Sequence, residues 1–197
     1  MNGLARRLMH ARAGLLVPLR VRRAVPASEL GVRYDRPLVL VEAEPAQGDS
    51  AAPPRLALSF APGIRAGAAL RPETVIGWLS DMPAAGGQID PKLFTGNAEF
   101  ERLLNAVLSE HIHEDRGAQA LAQHQKEGFL NINDERVFSP WGRVSDPEDI
   151  LGTVLLLNGK IQSGTFQPMP AHRLLSSNGL FQLSDFMHER LVERCTN

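Results

Sequence analysis

Asp134, Glu135 and Arg136, then Trp141 and Arg143, then Asp146, Glu148 and Asp149 form the most concentrated polar constellation in the chain. Carboxylates held together can divide the work of general acid and general base, and a neighbouring arginine can grip an anion in its planar fork. His172 and Arg173, just after Pro168-Met169-Pro170, could anchor an anionic group. An active site or ligand site drawn from these residues uses Asp134, Glu135, Arg143, Asp146 and His172. The matching binding surface is Arg136, Trp141, Arg143, His172 and Arg173. A plainer reading covers the same residues and is preferred. Ser145 or Asp146 caps a short turn opened by Pro147, the acids satisfy its free N–H groups, and Arg143 neutralises them.

Other chemistry finds less support. Glu110-His111-Ile112-His113-Glu114-Asp115 invites a metal, but ligands on one helical face need spacings of three or four. His111 and His113 are two apart and diverge by about 200° on a helix. Each face offers two ligands at most, so no metal is expected. There is no GxSxG, no P-loop, no GxGxxG, and the single Cys195 lacks a plausible histidine partner. No cofactor is expected, and the commonest enzyme classes lose ground.

The elements that must position these residues begin after an unusual N-terminus. Residues 1–28 hold six arginines and no acid; the first acid is Glu29. Taking those six from the 21 Lys and Arg leaves 15 against 22 Asp and Glu, a body of net charge −7. On a helix, Leu4, Leu8, Ala11 and Leu15 share a face opposite Arg6, Arg7 and His10. Arg-rich, acid-poor and amphipathic describes a mitochondrial transit peptide, with cleavage expected between Arg23 and Asp35. The acidic body argues against nucleic acid as a partner. No apolar run reaches the length of about 18 residues needed to span a bilayer. One cysteine excludes an internal disulfide framework.

Residues 29–72 are rich in Pro and Ala and read as a largely irregular spacer, although 38–41 and 56–60 alternate like short strands. Residues 73–197 then form a single α+β domain. Pro72-Glu73 opens a predicted helix over 73–82. Asn97 caps the strongest helix, 98–113, with Phe100, Leu103, Leu104, Val107, Leu108 and Ile112 on one stripe. A weaker helix follows over 116–127, then a strand at 129–133. Leu151–Leu157, the turn Asn158-Gly159 and Lys160–Gln167 make an antiparallel hairpin, because both turn residues tolerate positive φ. Ser184 caps the final helix. The fold class is α+β, a small antiparallel sheet around the 151–167 hairpin packed with two or three helices.

GRVSDPEDILGTV at 142–154, NGKIQSGTFQPMPAHRL at 158–174 and NGLFQLSDFMHERL at 178–191 carry a resemblance. Their order is similar to that of a family of small fungal proteins with the pattern GRxxDPxDI…GxIxxxT[FY]xPMPxxR…QL. The resemblance implies presequence-like termini and brings no activity and no catalytic residues. Together these readings point to a mitochondrial matrix protein, non-enzymatic, that binds a protein partner through the 98–113 stripe or the Trp141 loop. The alternative is a small-molecule enzyme or ligand-binding domain using the 134–149 loop with His172.

Overall fold

The computed structural model describes residues 18–30, 32, 34–45, 55–83, 89–137 and 145–196. Its class is α+β: among the described residues there are three α-helices and antiparallel sheets.

The larger sheet lies in the N-terminal half. Strands β1 (Leu19–Pro26), β2 (Val39–Pro45), β3 (Arg55–Ser59), β4 (Ala69–Leu70), β5 (Val75–Leu79) and β6 (Phe94–Gly96) assemble in the order β4-β1-β2-β3-β5-β6. This corrects two expectations. Residues 29–72 are not mainly a spacer, because β2, β3 and β4 fall inside them and Leu38, Val41, Leu58, Phe60 and Leu70 are core. Ala43 and Ala57 are fully buried there. Alanine forfeits no rotamer freedom on burial and lets strands and their coverings approach closely, so an Ala-rich stretch can be core. The 46–54 part of that stretch lies outside the described residues. The second correction concerns the expected 73–82 helix. Only Pro72–Thr74 turn helically, as a 3₁₀ turn, and Val75–Leu79 continue as β5. Val75 and Ile76 are β-branched and fully buried, which suits a strand covered on both faces. Gly77 belongs in it because the Phe94 ring occupies the place of a Cβ.

The N-terminal boundary moves as well. β1 pairs with both β2 and β4, Val21 is 1% exposed, and Arg22 and Arg23 reach Glu44 and Glu42 at 2.6 and 3.8 Å. Residues 19–28 therefore pack as part of the folded domain. The amphipathic face expected over 4–15 lies outside the described residues.

Helix α1 (Ala98–His111) starts where Asn97 accepts from the Glu99 N–H at 3.1 Å. Its stripe packs inward, with Phe100, Leu104, Val107 and Leu108 buried. The stripe is core and is not available to a partner, contrary to the expectation. A 3₁₀ turn, Ile112–Glu114, leads to α2 (Arg116–Gln125), which stops before Lys126 at φ 73°. Strand β7 (Gly128–Asn133) pairs with β8 (Ile150–Leu157), and Asn158 and Gly159 turn the chain at φ 52° and 73° as that turn type requires. The returning strand is split into β9 (Lys160–Ile161) and β10 (Gln167–Pro168), both pairing with β8, around Gly164 at φ 74°. Pro168 lies at the sheet edge, the place where a missing N–H is tolerated. A two-stranded ribbon, β11 (Leu175–Ser176) and β12 (Gly179–Leu180), precedes α3 (Asp185–Thr196).

The N-terminal sheet and the C-terminal elements share one core. Phe60 stacks on Tyr34 and meets Phe100 and Phe181, with ring centres 5.6, 6.4 and 5.8 Å away. The Tyr34 hydroxyl donates to the Phe181 carbonyl at 2.8 Å. Arg36 donates to the Leu183 and Ser184 carbonyls at 2.5 and 3.2 Å and pairs with Asp185 at 3.1 Å. Each fully buried ring or leucine adds about 1.5–3 kcal/mol by leaving water, so this aromatic cluster ties the two halves together.

Candidate functional site

The expected site residues divide into two groups with different surroundings. Asp134, at the end of β7, has its N–H bound to the Asp149 carbonyl at 2.8 Å. Its neighbour Glu135 bonds the Gln182 carbonyl at 3.0 Å. This crossing of β7 with the turn before β8 and with the chain before α3 sets where the side chains go.

Arg136 is the centre of the first group, and its side chain is 1% exposed. Nη2 meets Asp134 Oδ2 at 3.0 Å and donates to the Glu148 and Arg173 carbonyls at 3.0 and 2.6 Å. Nη1 donates to the Gly179 carbonyl at 2.9 Å and to Ser176 Oγ at 3.2 Å. Nε lies 2.9 Å from Asp149 Oδ1, an ion-pair contact set off the hydrogen-bonding angle. Asp134 Oδ1 accepts the Arg136 and Gln182 N–H groups, both at 2.9 Å. Asp149 Oδ2 accepts from Asn178 at 3.1 Å. His172 Nε2 stands 3.1 Å from Asp134 Oδ2, so that nitrogen carries the proton and donates to the carboxylate.

So Asp134, Arg136 and His172 do converge, joined by Asp149. They are closed on themselves. Both Nη groups of the guanidinium donate to acceptors, Nε lies against Asp149 without a hydrogen bond, both acids are buried, and among the described residues the nearby Ser176 hydroxyl is taken by Arg136 and the Asn178 N–H. A carboxylate–imidazole pair can orient a base for a nucleophile, but none stands beside it among the described residues. The cluster fastens four segments of chain together.

The remaining expected residues do not join it. Asp146 is exposed at the head of the Pro147–Asp149 3₁₀ turn, and its side chain makes no capping bond, contrary to the cap expected of it. Arg173 points outward and sits 3.7 Å from Glu148. Trp141 and Arg143 lie outside the described residues. Glu135 faces away from the cluster, into the second group.

That second group is a cleft of about 520 Å³ between the α1–α2 corner, the end of β7 and the start of α3. Its walls are mainly apolar, with Leu108, Ile112, Leu121, Ile132, Leu183 and Met187. Leu121 and Val137 at its rim are 39% and 41% exposed. Polar groups are few. Asp115 is held in the wall: Oδ1 accepts the Ala118 N–H at 2.8 Å, capping α2, and Oδ2 accepts the Ser184 hydroxyl at 2.6 Å. Ser184 Oγ in turn accepts the Met187 N–H, capping α3. The Asn133 side-chain oxygen is buried and accepts no hydrogen bond among the described residues. Glu135 is exposed, yet partial desolvation, the largest cause, raises its carboxyl above the usual carboxylate range; Arg36 pulls it down, and Asp115, Asp185 and Asp134 push it further up. Sequence reasoning missed this cleft, since Asp115 had seemed a metal candidate and the apolar walls come from several separated elements.

Among the described residues, no group of three or more His, Cys, Asp or Glu is placed to hold a metal, and no helix is long and apolar enough to cross a membrane. His111 lies 3.8 Å from both Glu110 and Glu114, and Glu110 is also bound to Arg194. Cys195 is buried, which raises its thiol to about 11 and leaves little reactive thiolate at neutral pH. An α+β domain with a buried arginine hub beside an apolar cleft is thus the class that fold and site define. Searches against protein-family profiles, curated proteins and solved structures return no match to the chain.

Proposed function

We propose that the protein is a non-enzymatic binding protein of the mitochondrial matrix, related to the fungal family it resembles, whose ligand seat is the cleft beside Glu135. One observation carries this reading. The residues with catalytic potential, Asp134, Arg136 and His172, are spent on one another and on backbone carbonyls, whereas a mainly apolar cavity next to them stands open. Its size falls within the range of about 300–1,000 Å³ of small-molecule sites. Its walls supply burial, and its few polar groups supply orientation.

The test is a titration of the full chain with hexan-1-ol, followed by amide chemical shifts. The reading expects shifts concentrated at 117–121, 131–135 and 183–187, and their loss when Ala118→Phe fills the cleft of a protein that still melts cooperatively. Shifts scattered over other surfaces, or none at all, would overturn it.

A protein partner is the second reading, and one observation favours it. Phe129 and Leu157 are 61% and 46% exposed, and the β7–β8 register puts them on one face of the hairpin. This reading expects co-purification of the protein from mitochondria with a stoichiometric partner that Phe129→Ser removes. A clean monomer refutes it.

A further inference from the structure

The charge of the cleft narrows its ligand. Among the described residues no Lys, Arg or His lines it, while Asp115, Asp134 and Glu135 do. Two of those three acids are already used. Asp115 caps α2 and binds Ser184, and Asp134 serves Arg136, His172 and two backbone N–H groups. The Glu135 carboxylate, unlike its backbone N–H, forms no hydrogen bond or ion pair among the described residues. Arg36, the cation that pulls its carboxyl down, is committed to the Leu183 and Ser184 carbonyls and to Asp185. Asn133, two residues before it and in the same wall, has a buried oxygen that receives no donor.

We infer that the cleft takes a small aliphatic molecule with a primary ammonium head, its chain among the leucines and its head against Glu135 and Asn133. This deepens the binding reading above and rests on it. A primary ammonium is all donor and the two unfilled groups are acceptors, so the match is of hydrogen bonds as well as of charge. Among the described residues the walls contain no aromatic ring, so a quaternary ammonium, which needs ring faces, is disfavoured. A carboxylate or phosphate head would meet only like charge. The elevated Glu135 carboxyl agrees, since a cation beside it relieves both the burial and the repulsion from Asp115, Asp185 and Asp134.

The experiment compares hexylammonium, hexan-1-ol and hexanoate on the full chain at pH 7.5, read by the same amide shifts, in native protein and in Glu135→Gln. Hexylammonium should bind about three- to tenfold more tightly than hexan-1-ol, the range for an ion pair open in part to solvent, with hexanoate weakest. Glu135→Gln should erase the ammonium advantage and leave hexan-1-ol unchanged, which also shows that the variant is folded. Equal binding of amine and alcohol in the native protein, or an advantage that survives Glu135→Gln, would overturn the inference and leave the cleft a neutral apolar seat. If none of the three probes moves the cleft signals, the binding reading falls with it.

Discussion

Arg136 shows how similar a structural and a catalytic constellation look in sequence. Asp134, Arg136, Asp149 and His172 have the types and rough spacing of a site, and the fold does bring them together. What separates the two cases is solvent. A working arginine keeps a face for its ligand, whereas this one has a side chain 1% exposed and three carbonyls and two acids around it. Removing one member of a buried pair leaves an uncompensated charge and costs about 3–5 kcal/mol. Arg136→Met should therefore lower stability by about that amount, as read by urea denaturation. Arg136→Lys should fare little better, because a single ammonium cannot serve two carboxylates and three carbonyls set around a planar fork. A variant that stays stable but loses ligand binding would return Arg136 to the site. No sequence pattern shows whether solvent reaches a residue, which is why the grouping of these side chains was legible and their burial was not.

Elements were legible in proportion to how local their signals are. Asn97 before a stripe of apolar residues marked α1, and Asn158-Gly159 marked the hairpin turn, because in each case a few adjacent residues carry the physics. β5 was misread for the converse reason. Pro72 and Glu73 do begin a helical turn, and only the cross-strand partners, Leu56 to Ser59 on one side and Phe94 to Gly96 on the other, extend Val75–Leu79. The junction of α1, α2 and α3 depends on a side chain whose role is also non-local. Asp115 caps α2 with one oxygen and orients the Ser184 cap of α3, 69 positions away, with the other. Losing a cap costs about 1 kcal/mol, and stranding a buried hydroxyl adds about 1–3. Asp115→Ala should thus destabilise by about 2–4 kcal/mol, and Ser184→Ala by less, since Asp115 keeps its bond to α2. Equal losses from the two single variants and from the double variant would show that both act only through their shared bond.

At the scale of the whole molecule, the hairpin around which the fold was expected to gather is the smaller part. The six-stranded sheet is built largely from residues read as leader and spacer. Its absence from the sequence reading has a physical source: β1 is tied to partners far along the chain, Val39–Pro45 and Ala69–Leu70, and short alternating pieces between prolines reveal nothing about whom they pair with. The arginines of β1 illustrate the ambiguity. Arg22 and Arg23 count toward a targeting signature, yet in the fold they face Glu44 and Glu42 across the ladder. Both uses can coexist only if any targeting segment ends before Leu19. Cleavage between Arg23 and Asp35 would instead remove part or all of β1, strip Leu19 and Val21 from the core and leave the edges of β2 and β4 open to aggregation. A chain started at Pro18 should therefore melt cooperatively near the temperature of the full chain, and one started at Glu29 should melt many degrees lower or fail to stay in solution. On the proposal that mitochondria import the protein, its mature N-terminus, read by mass spectrometry, should fall upstream of Leu19. A mature N-terminus inside 24–35 on a stably folded protein would mean that β1 is dispensable, and the sheet as described would then have to close without it.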